Sequence, residues 1–207
     1  APLPPGRQRT YDALCRTIVG QQLHTNAVKK IWARFEDKFR DAEGALALTP
    51  AAFLAATDSI DKFEQLRDKS KGGVGLSASK MKALTSLSEF YLGGGLTDEL
   101  LLDPKLSPEM AMEYLTAVKG IGPWSANMFF MFTLHLPDFL PLGDLGVRGG
   151  IAAVFDLKGK GKNGVLDEKK DGELMTAHFE QFKPYRSLAA WYMWRAHEDA
   201  QKATKGK

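Results

Sequence analysis

Residues 118–130 read VKGIGPWSANMFF. Two glycines and a proline break the chain just before an apolar run that carries a serine and an asparagine. Upstream, SPEMAMEYLTAV (107–118) has Ser107 at a capping position and Pro108 in a first turn, so a helix runs into the corner. Trp124 opens a second helix. Gly120 and Gly122 permit positive φ and close approach of another backbone. The first amides of the second helix lack intrahelical partners and lie at the positive end of its dipole. The corner can therefore hold an anion such as a DNA phosphate, with the Ser125 hydroxyl as an added donor. A glycine turn that only packs two helices explains the same residues. The corner alone leaves both readings open.

The surrounding chain reads as helix almost throughout. RTYDALCRTIVG places Tyr11, Leu14, Cys15 and Ile18 on one stripe, and after Gly20-Gln21-Gln22 a second helix starts near Thr25, read as its N-cap. Its buried face is Ala27, Val28, Ile31, Trp32 and Phe35. Thr49-Pro50 begins a short helix, SASKMKALTSLSEFYLGGG a capped one ended by glycines, and a last aromatic-rich helix follows Pro184. Sustained two-residue alternation is missing, so the fold class is all-α. DLKGKGKNGVLDEKKDG (156–172) differs from the rest: rich in Gly and Lys, it reads as a mobile surface loop.

The 207 residues suffice for one large domain or two lobes. A hydrophobic fraction of 44% and a charged fraction of 26% are those of a globular protein, and no apolar run approaches the roughly 20 residues that span a bilayer. The N-terminal APLPPGRQR lacks the apolar centre of a signal peptide. One cysteine excludes an internal disulfide framework and a cysteine-built cluster, and fits an intracellular setting. Twenty-eight basic residues against 25 acidic ones permit a nucleic-acid partner without arguing for one.

The longer string L-x-x-V-x-G-I-G-x-W-S-A (115–126) resembles the helix-hairpin-helix signature of the DNA glycosylase superfamily. LCRTIVGQQLHTNAVKKIWARF, GLSASKMKALTSLSEFYLGGGL and FKPYRSLAAWYMWR resemble, in order, three further segments of its alkylation-repair branch. That branch is the 3-methyladenine DNA glycosylase II family of the bacterial AlkA and yeast MAG type. The resemblance implies a two-lobed all-α fold with the active site in the inter-lobe cleft. It assigns about 20–135 to a central lobe and 1–19 with 136–207 to the second. It places the catalytic aspartate at Asp144 of PLGDLGV; a helix N-cap is the plain reading of that residue, and Asp138 is a rival acid. Lyase members carry a lysine where this chain has Trp124, so the implied enzyme is monofunctional.

By the same resemblance, Gly120, Gly122 and Ser125 hold DNA phosphate, and Trp124, Met128, Leu145 and Trp194 line the substrate pocket. Gln22 plugs the gap left by a flipped base, with Gln21 and His24 flanking it in the minor groove. Tryptophans at helical spacing are also ordinary core residues, and QQLH is also an ordinary polar turn. Met128, Leu145 and Gly143 replace more polar or aromatic family residues, which implies a preference for charged 3- and 7-alkylpurines over neutral lesions. The expected partner is double-stranded DNA bearing alkylated bases, with no membrane, the protein a monomer. No cofactor is expected; hairpin carbonyls are a place for a monovalent cation. The nucleus is expected in a eukaryote and the cytoplasm otherwise. A non-catalytic hairpin DNA binder and a bifunctional glycosylase/lyase are the alternatives.

Overall fold

The computed structural model describes residues 8–162 and 165–205; the proline-rich start (1–7) and residues 163–164 of the Gly/Lys loop lie outside the described residues. In chain order the helices are α1 (Arg9–Gly20), α2 (Thr25–Asp37), α3 (Pro50–Ala55), α4 (Ile60–Arg67), α5 (Ala78–Leu92) and α6 (Asp98–Leu101). They continue with α7 (Pro108–Ala117), α8 (Pro123–Phe132), α9 (Leu145–Phe155), α10 (Gly172–Phe179) and α11 (Arg186–Lys205). Among the described residues the extended pairing is an isolated bridge between Arg40 and Leu46, so the fold is all-α. It divides into two units, the first ending at Phe129 and the second beginning at Phe130.

In the first unit, Tyr11, Leu14, Cys15 and Ile18 of α1 are fully buried, and α1 packs on α5, α2 and α6. This corrects the assignment of residues 1–19 to the second lobe. The apolar stripe of α1 has its partner in the first unit, and polar pairs fasten it there. Tyr11 Oη lies 2.7 Å from Ser88 Oγ, and Thr10 Oγ1 lies 2.7 Å from Tyr91 Oη. Asp98 accepts the Arg9 and Thr10 amides at 2.8 and 2.9 Å, satisfying donors at the start of α1. Burial pushes the pKa of the Cys15 thiol well above its usual value, so this cysteine is a core residue. Thr49, Ser77 and Ser107 cap their helices through side-chain oxygens. Thr25 is already helical, and its expected capping role falls to His24, whose Nδ1 accepts from the Asn26 amide.

The second unit is organised by α9 against α11. Glycines make that contact possible. A Cβ on Gly150 would lie 1.9 Å from the Met193 carbonyl oxygen, and one on Gly149 2.1 Å from His197 Nδ1. The described part of 156–172 is pinned, contrary to the mobile loop its composition suggests. Asp171 is buried and its Oδ2 accepts the amides of Lys160 and Asp167, both at 2.8 Å. These hydrogen bonds hold its carboxyl below the usual value of 3.8. Arg148 Nη1 donates to the carbonyl of buried Leu166 at 2.8 Å. Lysines and glycines mask a segment organised by three residues of other types.

Candidate active site

The hairpin lies between α7 and α8. Gly120 has φ +95°, and a Cβ there would come within 2.4 Å of Ala83 Cβ on α5. Both facts require glycine for the fold itself. Gly122 differs: a Cβ there meets nothing within 4 Å. The protein leaves the space over Gly122 clear, as a site for an approaching backbone does. Ile121 plugs the turn into the core.

Ser125 is only 3% exposed, and its Oγ accepts from Gln21 Nε2 at 2.9 Å. The same amide nitrogen donates to Gly120 O at 2.8 Å. The hydroxyl therefore faces inward and braces the turn, which corrects its assignment as a phosphate donor. Gln21 likewise turns toward the hairpin instead of outward. Its neighbour Gln22 is exposed at φ +55°, and exposed Leu23 and His24 follow it. Among the described residues no group of His, Cys, Asp or Glu is arranged to hold a metal ion. Gly120 O, one of the carbonyls open to a monovalent cation, already accepts the Gln21 amide.

Helix α8 has two faces. Ser125, Ala126, Phe129 and Phe130 are buried, while Trp124, Met128 and Phe132 recur every four residues on the other side. Trp124 is 36% and Phe132 54% exposed, more than ordinary core aromatics.

In the second unit, Asp144 is the N-cap of α9: its Oδ1 accepts from the Val147 amide at 2.9 Å. Trp194 Nε1 donates to the same oxygen at 2.6 Å. Cap and candidate catalyst are one residue. The indole reaches the carboxylate because residue 146 is glycine, since a Cβ there would lie 2.6 Å from Trp194 Cδ1. The Trp194 ring stacks on Phe132, with ring centroids 5.7 Å apart and planes 25° apart. Leu145 is 66% exposed beside the carboxylate.

The segment leading to Asp144 is clamped by the start of α11. Ser187 Oγ donates to Leu136 O at 2.7 Å and accepts the Phe139 amide at 2.9 Å. Arg186 grips Asp138 in a bidentate pair, Nε to Oδ1 at 2.6 Å and Nη2 to Oδ2 at 3.0 Å. The guanidinium holds the Asp138 carboxyl below its usual range. Asp138 is thus a strut, and Asp144 is left as the candidate acid.

Residues 15–171 match the family described as HhH-GPD superfamily base excision DNA repair protein. The chain belongs to that family. It is 30% identical over 191 residues to DNA-3-methyladenine glycosylase 1 of Schizosaccharomyces pombe, covering 91% of this chain and 73% of that one. It is 30% identical to the DNA-3-methyladenine glycosylase of Saccharomyces cerevisiae, covering 89% of this chain and 66% of the relative. Among solved structures it resembles the S. pombe 3-methyladenine DNA glycosylase in complex with abasic DNA. The TM-score is 0.71 and the identity 28%, over 93% of this chain and 84% of that one.

Three further candidate residues, one in the first unit and two in the second, escaped the sequence reading. Phe132 is hidden in a wholly apolar run, where only its exposure and its stacking on Trp194 single it out. Leu23 is an exposed apolar side chain next to Gln22. Glu168 comes from the Gly/Lys loop, and its carboxylate oxygens lie 3.4 Å from where a Gly143 Cβ would stand. Of the three, only Leu23 had a signal in the sequence, a leucine in a polar turn.

Proposed function

We propose that the chain is a monofunctional DNA glycosylase that removes 3- and 7-alkylated purines from duplex DNA by hydrolysing the N-glycosidic bond. The observation that carries this is Asp144 Oδ1 fixed by two donors, the Val147 amide and the Trp194 indole, next to the stacked Phe132–Trp194 pair. An alkylated purine is cationic and leaves readily. As its bond to C1′ breaks, the electron pair goes to the base and neutralises it, and positive charge develops on the sugar. A fixed carboxylate stabilises that charge with little reorganisation. Water then adds to C1′ and releases a proton, leaving an abasic site and a free base.

Before this chemistry the base must leave the stack. Gln22, with Leu23 and His24 beside it, is the outward element suited to the vacated space, and the open approach over Gly122 suits a phosphate. The exposed aromatic faces of Trp124 and Phe132 attract a cationic purine. At the Asp144 corner Leu145 adds apolar surface without hydrogen-bonding groups, and Glu168 adds negative charge beside Gly143; on α8, Met128 is likewise apolar. The substrate class is therefore a charged alkylpurine, 3-methyladenine above all, in preference to hypoxanthine. Trp124 occupies the place of a lyase lysine, and strand cleavage is not expected. The protein acts as a monomer without a cofactor, in the nucleus of a eukaryote or the cytoplasm of a bacterium. Among the described residues no helix is long and apolar enough to cross a membrane.

The test is release of free 3-methyladenine from methylated DNA. Release without a borohydride-trapped adduct is expected. No release overturns the enzyme reading in favour of a DNA-binding module, and a trapped adduct overturns the monofunctional one.

A further inference from the structure

Lys80, the third residue of α5 and half-buried, sets its ammonium against the end of α1. Its Nζ donates to the carbonyls of Val19 and Gln21, both at 2.7 Å. These carbonyls belong to the end of α1, where carbonyls lack helical partners and the dipole is negative, so a cation is well placed. Partial burial lowers the pKa of Lys80 from its usual value. The residue whose main chain it holds, Gln21, in turn sends its side chain to Gly120 O and Ser125 Oγ of the hairpin. Three hydrogen bonds thus run from α5 through one glutamine to the phosphate corner, and the next residue, Gln22, has φ +55°. A non-glycine residue holds such a conformation only where its surroundings enforce it.

We propose that Lys80 and Gln21 are positioning residues that lock the Gln22 turn to the hairpin, so that backbone capture and displacement of the base occur in one fixed register. The brace explains a half-buried lysine that donates to two main-chain carbonyls and a buried serine hydroxyl at the hairpin. It also separates neighbouring glutamines: Gln21 holds and Gln22 inserts. The proposal rests on the glycosylase reading above. Its effect falls on duplex DNA, where a flipped base leaves a gap, and much less on single strands, where no gap needs filling.

The experiment compares wild type with Lys80→Met and Gln21→Ala on 7-methylguanine in a duplex and in the same oligonucleotide single-stranded. The second variant keeps the main chain and guards against a folding defect in the first. The duplex to single-strand ratio of single-turnover rates should fall about 10-fold or more in both, the scale of a catalytic assembly displaced by a fraction of an ångström. In parallel, 2-aminopurine beside an abasic analogue in a saturated duplex complex should brighten with wild type and much less with either variant. Equal loss on both substrates, or an unchanged ratio, overturns the brace. If wild type excises neither substrate, the enzyme reading fails instead. The fluorescence arm still judges the brace, and full brightening in both variants overturns it.

Discussion

The hairpin of the first unit and the Asp144 corner of the second use the same materials in opposite ways. At the hairpin, polar side chains turn inward: Gln21, Ser125 and Lys80 bond to the protein, and what faces outward is backbone over Gly122. At the Asp144 corner side chains carry the contacts, with glycines 146 and 150 placed so that α11 can approach. Binding a repeating backbone needs amides and free space, whereas bond cleavage needs a charged group held at one point.

The largest effect should come from removing the charge at the second of these places. Asp144→Asn keeps a capping side chain, so the fold should survive. Excision should fall by at least about 10²-fold, the typical cost of losing one preorganised electrostatic group. Duplex affinity should persist. Full activity in this variant would remove Asp144 from its role and dissolve the contrast between the two regions.

Gly146→Val probes the same corner from below. The new side chain collides with the Trp194 ring and drives the indole off Asp144. Excision should drop by about 10²-fold, as expected when a positioned group moves by an ångström. Near-ultraviolet circular dichroism should report the displaced tryptophan. A normal rate with a displaced ring would show that the indole hydrogen bond is dispensable.

The sequence displayed these two regions unequally. Helices with a Ser or Thr cap and a long apolar stripe, such as α5 and α7, were legible because cap and stripe are local. Asp144 was legible as a cap because that reading depends on its neighbours in the chain. The short helices α4 and α6 were not: each buries one leucine and has no periodicity to read. Nor was the second face of α8, where PWSANMFFMF is apolar all round and only packing decides that Phe132 is outside. Which of two adjacent glutamines turns inward is set by a carbonyl, a hydroxyl and an ammonium 59 to 104 residues away, and no local pattern carries that. The unit boundary failed for the same reason, since the stripe of α1 says that it is buried but not against what.

The two hairpin glycines offer a smaller and sharper test. Gly120→Ala places a side chain at positive φ against Ala83, a strain of about 1–3 kcal/mol before the clash is counted. In a chain of this size each kcal/mol lowers the melting temperature by roughly 2–4 °C. At Gly122 a Cβ meets no protein atom within 4 Å, so the melting temperature of Gly122→Val should match wild type. Duplex affinity should fall by about 10-fold, the worth of one charge-assisted hydrogen bond to phosphate, with little change in lesion preference. Isothermal binding and thermal melts on the pair check this. If Gly122→Val binds duplex normally, the open space has no ligand and the turn only packs helices.

The smallest effect concerns pH and separates the units again. In the second unit Asp138 and Asp171 are both held below the usual carboxyl value of 3.8, by Arg186 and by loop amides respectively. A carboxyl whose pKa is lower folded than unfolded adds stability above the unfolded value and loses it as pH falls through the folded one. The loops at 136–144 and 160–171 should therefore loosen in acid, beginning near pH 4, through loss of the same bonds that fix the approach to Asp144. Hydrogen exchange of these amides between pH 6 and 3 should rise beyond the intrinsic pH effect, while amides of α1 and α5 change less. Asp171→Asn keeps an acceptor oxygen but cannot titrate, so the acid response of residues 160–171 should flatten while that of 136–144 persists. If both loops respond as in wild type, Asp171 is not the group that titrates there, and the pinning of the Gly/Lys segment has another source.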